Sequence, residues 1–256
     1  MKISVVIITY NEERNLRRCL ESVVPVADEI VVVDSFSKDG TEAIAREFEA
    51  RFIQHPFEGH IQQKNLAKDQ ASFDWVLSLD ADEALSEELR DSILELKEKG
   101  PKVTGYIINR LTNYSGHWMR HGGWYPDRKL RLWKKNAGSW GGRNPHDRFE
   151  LKDGSSAERL QGDLLHYSID SIEHHAAMQL KYADIASDAL LAEGKGGRAW
   201  KRFVSPWFKF LQDYFFRMGF LDGRMGFFGT WHACRGTYLK YLMLHQKMQK
   251  LRSSKG

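Results

Sequence analysis

Residues 2–13 read K-I-S-V-V-I-I-T-Y-N-E-E, and their pattern decides the fold class. A short β-branched run without polar alternation suits a parallel strand buried on both faces. It stops at Thr9-Tyr10-Asn11. Asn11 is a good helix N-cap, and Glu12 and Glu13 would follow in the first turn, where acids complement the dipole. A helix to about Val23 is expected. The same unit recurs outward along the chain. Glu29–Val33 is a second strand ending at Asp34, followed by the loop S-F-S-K-D-G-T and a helix from about Thr41 to Ala50. Arg51–Gln54 is a third strand, with a helix over Ile61–Ala71. Trp75–Leu79 is a fourth, ending at Asp80-Ala81-Asp82, and Ser86 opens a helix to about Lys99. Four alternations with short connections predict an α/β fold, a mostly parallel, doubly wound sheet flanked by helices. Ligands of such sheets sit beyond the carboxyl ends of the strands, where Asn11, Asp34, Asp80 and Asp82 would converge.

From Gly100 the pattern changes. Val103–Asn109 and Lys129–Trp133 look like strands, separated and followed by loops over 113–127 and 136–147 rich in Gly, His, Trp and Asn. Loops that long are usually functional or disordered, and their aromatic content argues against disorder. Residues 171–193 read as a helix and Gly194–Gly197 as a break. The rest is helical in pattern, with glycines at 219, 223, 226 and 229 expected to interrupt it. Two cysteines, Cys19 and Cys234, make no disulfide framework, so a reducing, cytoplasmic setting is expected. The N-terminus lacks a signal-peptide pattern, and no apolar run approaches the ~18 residues of a membrane span.

Asp80-Ala81-Asp82 carries the strongest chemical signal. Two carboxylates one residue apart at the mouth of a buried strand can approach one hard cation, Mg²⁺ or Mn²⁺, which completes its shell with substrate phosphates. The plainer alternative is that D-A-D-E starts a surface helix. Asn11 serves as a cap in either case, and the helix start would offer N–H groups to a nucleotide. Asp34 either accepts hydrogen bonds from a base or ribose or caps its loop. His166 and His146, in Gly-rich and polar surroundings, are candidate further metal ligands. His174 and His175 are expected on a helix surface. Trp124 and Tyr125 would stack on a sugar or anchor their loop. The chain has no G-x-G-x-x-G after the first strand and no P-loop, which removes the usual dinucleotide and P-loop readings.

V-V-I-I-T-Y-N-E-E (5–13), V-V-D-S-F-S-K-D-G-T (32–41) and L-S-L-D-A-D-E (77–83), in that order and spacing, resemble family 2 glycosyltransferases of the GT-A fold. G-W-Y-P-D-R-K-L-R-L-W (123–133), N-P-H-D (144–147), L-L-H-Y-S (164–168) and F-L-D-G-R-M-G-F (220–227) are similar to the branch containing lipopolysaccharide core β-1,4-glucosyltransferases. The resemblance implies an inverting, metal-dependent hexosyltransferase with a nucleotide-diphosphate sugar as donor, foremost UDP-glucose. It implies a glycan or lipid-linked acceptor, foremost a heptose of a lipopolysaccharide or lipooligosaccharide core. Thr9, Asn11 and Glu12 would line the nucleotide pocket, Asp34 would contact base or ribose, and Lys64 would stand at the pocket wall unless it is a solvated helix lysine. Asp80 would face ribose and metal, and Asp82 would bind the metal directly. Asp127 would be the general base, with Asp147, beside His146, as rival. Alternatively Asp127 pairs with Arg128 or Arg131. His146 and Asp147, with Trp124 and Tyr125, are the acceptor-side candidates. A catalytic domain would then span 1–197, with a nucleotide-sugar half (1–100) and an acceptor half (101–170).

The net charge of +4 hides an asymmetry. Residues 198–252 hold eleven Lys and Arg against two acids, and fourteen of the thirty-one aromatic residues, leaving 1–197 at −6. The region 198–256 therefore reads as a basic, aromatic helical extension. It would either lie on an anionic membrane surface, making the protein peripheral at the inner face of the cytoplasmic membrane, or pack as an ordinary helical pair. Nucleic acid is not the expected partner, since no named binding motif appears. The rival readings of the whole chain are a nucleotide-sugar-binding module without catalysis and a nucleotidyltransferase.

Overall fold

The computed structural model describes residues 1–143 and 146–253. Asn144 and Pro145 of the N-P-H-D segment, and the side chain of His146, lie outside the described residues. The first half follows the expected alternation: β1 (Ile3–Thr9), α1 (Leu16–Val23), β2 (Glu29–Asp34), α2 (Thr41–Glu47), β3 (Arg51–Gln54), α3 (His60–Gln70) and β4 (Trp75–Asp80). Then come β5 (Glu83–Leu85), α4 (Glu87–Lys99), β6 (Gly105–Tyr114), β7 (His117–Trp118), β8 (Asp127–Lys134), β9 (Gly138–Arg143), β10 (His146–Leu151) and β11 (Ala157–Ile169). The chain ends in α5 (Ile172–Ala192), α6 (Ser205–Phe210) and α7 (Gly223–Ser253), linked by short 3₁₀ and π turns. None of the described helices is long and apolar enough to cross a membrane.

The main sheet has the order β3-β2-β1-β4-β8-β6-β11-β5, with β7 paired to β6. Strands β3, β2, β1 and β4 run parallel, while β8 joins β4 antiparallel. Side chains alternate across the parallel half, as pleating requires. Val5 and Ile7 pack with Leu16, Leu20, Leu89 and Ile93 of α1 and α4 on one face. Val6, Val31 and Val33 pack on the other with Ala67 of α3 and with Trp140 and Phe149 of the β9–β10 hairpin. Both faces being covered explains the unbroken apolar strands.

The chain divides into two compact units, residues 1–111 with 127–167, and 112–126 with 168–256. In the second, α5 lies along α7, with Gln179 against Gly236 and Lys247 bonded to Asp184 and Asp188. Buried Asp222 accepts backbone N–H bonds from Arg120 and His121 and faces His121 Nδ1 at 2.9 Å.

Several sequence expectations need correction. Helix α1 starts at Leu16, not after Asn11, because Asn11 adopts a left-handed φ of 54° that a helix start does not accommodate. D-A-D-E does not open a helix: Glu83 begins strand β5, and α4 follows Ser86, whose hydroxyl accepts the Leu89 N–H. The 113–127 loop contains β7, and 136–147 is largely the β9–β10 hairpin. The pairing of Trp140 with Phe149 and the stacking of Phe149 on Trp133 at 3.8 Å supply the apolar face that its glycine-rich strand lacks. Gly226 and Gly229 do not interrupt α7; a side chain at Gly226 would collide with the Gly219 carbonyl, so the glycines permit close packing there. His175 is not on the surface but buried against Tyr114, whose hydroxyl lies 2.9 Å from Nδ1.

Candidate active site

The strand order places a topological switch between β1 and β4, since β2 and β3 lie on one side and the later strands on the other. Ligands of open α/β sheets bind in the crevice at such a point. The loops at the ends of β1 and β2 are stitched together there. Backbone N–H groups of Asn11, Glu12 and Glu13 donate to Ser37 Oγ, Thr41 Oγ1 and Asp39 Oδ2, and Asn11 Oδ1 accepts the Lys38 N–H. These donors hold the neighbouring loop instead of standing free for a nucleotide. Asp34 is fully buried, accepting from Thr9 Oγ1 at 2.9 Å and Ser37 N at 2.8 Å, which is the loop-capping arrangement. The stitched loops present Tyr10 and Phe36 outward, Phe36 with a left-handed φ of 60° that is uncommon for a bulky residue.

At the end of β4, Lys64 Nζ lies 2.9 Å from Asp80 Oδ1 and 2.8 Å from Asp147 Oδ2. Lys64 is thus a buried link between two carboxylates, not a solvated lysine. Arg131 Nη2 bonds Asp80 Oδ2 at 2.9 Å and Glu83 Oε1 at 2.6 Å, while Glu83 also accepts the Asp80 N–H. Burial alone would raise the Asp80 carboxyl, but Lys64 and Arg131 outweigh it and hold the group well below the usual carboxylate range. Burial disfavours the Arg131 cation, and Glu83 and Asp80 overcome that. Trp140 lies beneath both cations, 4.6 Å from Lys64 Nζ and 5.7 Å from the Arg131 guanidinium carbon.

Asp127 is paired neither with Arg128 nor with Arg131. The β6–β8 register sets it opposite Arg110, which bonds its Oδ2 at 2.7 Å, and Lys129 reaches Oδ1 at 3.1 Å. Burial raises its carboxyl, Arg110 and then Lys129 lower it, and the net direction is down. Arg110 also approaches Glu83 at 3.3 Å, so one network of ions runs from Asp147 through Asp80 and Glu83 to Asp127.

Asp82 stands apart from the cations of that network. Its Oδ2 lies 3.3 Å from His166 Nε2, because β5 pairs with β11 in the register Glu83↔His166. Two ligands of one octahedral cation, each at about 2.1 Å, lie about 3 Å apart, so this pair suits a shared Mg²⁺ or Mn²⁺ ion. Among the described residues no three His, Cys, Asp or Glu side chains could hold an ion by themselves; a magnesium site of this kind takes further ligands from phosphates and water. Nearby Glu12 is raised above the usual range, first by burial and then by Asp82, Asp39 and Asp80, against the hydrogen bond from Asn15. Carboxylates crowded in this way favour a cation among them.

Residues 4–151 match the sequence model of the family Glycosyl transferase family 2. The chain belongs to glycosyl transferase family 2. The match covers every strand of the switch-point half and Asp127, and the fold is GT-A, with a helical C-terminal extension. The chain is 30% identical to the lipopolysaccharide core biosynthesis glycosyltransferase LpsC of Rhizobium meliloti, over 94% of this chain and 90% of that one. It is 31% identical to an uncharacterized glycosyltransferase of Rickettsia typhi, over 98% and 89%. Among solved structures it is similar to S. aureus TarS 1–349, at 17% identity and a TM-score of 0.45, over 98% of this chain and 92% of that one. The glucosyl-3-phosphoglycerate synthase of Mycobacterium tuberculosis, solved with Mn²⁺ and UDP, matches over 44% of each chain at 24% identity and a TM-score of 0.35. This family 2 glycosyltransferase is therefore a homologue of a lipopolysaccharide core enzyme.

The structure brings Lys64, Asp80 and Asp147 together, and separately Asp82 with His166. Trp124 and Tyr125 fall in the second unit, where Trp124 packs edge-on against Tyr114 and His175, the anchoring arrangement. Arg131, Glu83 and Arg110 were missed as site residues. One signal was available: an arginine between two leucines in K-L-R-L-W, on a strand that reads as buried, requires carboxylate partners.

Proposed function

We propose that the protein transfers glucose from UDP-glucose, with inversion, to a lipid-linked glycan acceptor of the lipopolysaccharide core type. The observation that carries this reading is the pair Asp82–His166 at the switch point, next to an Asp80 already neutralised by Lys64 and Arg131. Asp82 and His166 would hold a divalent ion, which when bound neutralises the diphosphate leaving group. Asp80, kept ionised, faces the ribose side. Thr9, Asn11 and Asp34 fix the loops on which Tyr10 and Phe36 offer ring faces to the base, and Glu12 stands between those loops and Asp82. Asp127 is the general base. It is one-third exposed and held ionised by Arg110 and Lys129, whereas Asp147, at 11% exposure, is clamped by Lys64. Lys64 and Arg131 hold Asp80 in direction as charge develops on the departing diphosphate.

The similarity to LpsC supports the acceptor class. Incubation with a set of UDP- and GDP-sugars, following release of nucleoside diphosphate, tests the reading. Slow hydrolysis of UDP-glucose that stops on chelation is the expected result. Binding without turnover would indicate a module without catalysis, and release of pyrophosphate from a nucleoside triphosphate and a sugar phosphate would indicate a nucleotidyltransferase.

A further inference from the structure

Thirteen of the large apolar side chains found exposed among the described residues fall between 200 and 231. They are arranged rather than scattered. Phe203, Val204, Trp207, Phe208, Leu211 and Phe215 recur at three- and four-residue spacing from the end of the 3₁₀ stretch before α6, through α6, into the π turn that continues it, so they form one stripe. Trp207 is 72% exposed, and Phe216 at the end of the stripe is 83% exposed. The opposite side of the same segment is the inward one. There Phe210 and Tyr214 stack on each other at 5.1 Å and meet Phe227 of α7, and Asp213 receives Lys209 and Arg217. The segment thus buries its acid and exposes its rings, the reverse of a helix on a water-facing surface. Its exposed rings amount to on the order of 500 Å², comparable with the largest patches of monomers, ~300–600 Å², which are often functional.

The charge on this face has one sign. The two acids between 198 and 231, Asp213 and Asp222, are 4% and 5% exposed, whereas Arg198, Arg217 and Arg224 are exposed. We propose that the 200–231 face docks in the interface of a bilayer containing anionic lipid, lying in its plane, with the rings among the acyl-chain ends and the cations at the headgroups. Charge decides between this occupant and a second copy of the chain. An isologous contact would bring like charges together with no exposed acid of the face to receive them, while anionic headgroups supply the missing partner. The proposal does not depend on the transfer reaction, and binding is read without any nucleotide sugar.

The test is sedimentation of the full chain with phosphatidylcholine vesicles, with and without phosphatidylglycerol, at rising salt. The wild type is expected to pellet with the anionic vesicles at low salt and to be released as salt rises. Trp207→Ser with Phe216→Ser should lower the partition coefficient at least tenfold with an unchanged circular dichroism spectrum. Arg198→Gln with Arg224→Gln should lower it about fivefold per charge. Should the double aromatic variant misfold, Phe216→Ser alone, at the most exposed of these rings, is the substitute and should still weaken binding measurably. Absence of binding at low salt, equal binding to neutral vesicles, or wild-type binding by the variants would overturn the proposal. So would a lipid-free dimer that Phe216→Ser dissociates, which would assign the face to a second copy.

Discussion

The strand mouth at 80–85 and the helical stretch at 200–216 treat polarity in opposite ways. At the strand mouth, charges are taken out of water and paired: Asp80, Glu83, Arg131 and Lys64 contact one another within 3.3 Å. In the helical stretch, apolar rings are left in water and the single local acid is the group that is buried. The difference shows where each region finds its missing partner. A buried ion network pairs its charges inside the chain and gains a fixed direction for its carboxylates. An outward aromatic face is incomplete until another phase covers it.

The comparison breaks most severely if Arg131 is not essential to the first region. Arg131→Met leaves Glu83 and Asp80 without their shared cation, and a loss of about 3–5 kcal/mol is expected, measured by urea unfolding. Asp82 lies outside that cation network, so it should separate chemistry from stability. Asp82→Ala should lower turnover by roughly 10³-fold and weaken donor binding, since the diphosphate loses its counter-ion, while the unfolding midpoint stays near wild type. Persistence of full activity in Asp82→Ala, or in excess chelator, would contradict the metal reading.

Acid should distinguish the two units. Burial, then His232 and His174, push His175 down to about 4 from an ordinary 6.5, and its ring meets Tyr114, Trp124, His232 and Gln179. Its contribution is fully present above pH 6.5 and is lost as pH falls toward about 4, because the unfolded chain takes up the proton first. The loss is on the order of 3 kcal/mol. Asp80 and Asp127, held below 3.8, keep their contribution until the pH falls beneath that value. Hydrogen exchange across 168–253 should therefore rise between pH 6.5 and 4 before exchange in 1–111 does; simultaneous loosening would count against this assignment.

Asp127→Asn sharpens the roles within the first unit. It should reduce turnover by about 10²-fold, with donor affinity unchanged. If Asp147→Asn were the slow variant instead, the base would be Asp147. The smallest effect is expected in the second region. Phe216→Ser should change folding stability by no more than about 0.5 kcal/mol, as for a surface position; a much larger loss in a thermal melt would show that the ring packs within the chain.

The amino-acid sequence by itself determined the parallel half of the fold. Short strands closed by polar loops and followed by helical stretches are local patterns, and the short strand β3 was placed at Arg51–Gln54 from the sequence alone. The sequence likewise placed Asp80 and Asp82 at a strand mouth, because strand ends are local too. It could not show β5, too short to carry a pattern, nor the β9–β10 hairpin, whose glycines and polar residues read as loop. Only the tertiary structure decided which distant side chains meet those carboxylates. Lys64 comes from α3, Arg131 from β8 and His166 from β11, each delivered by packing or strand register. Register is set by complementary surfaces far apart in the chain, and a residue's own neighbours in sequence hold no record of the strand it will lie beside.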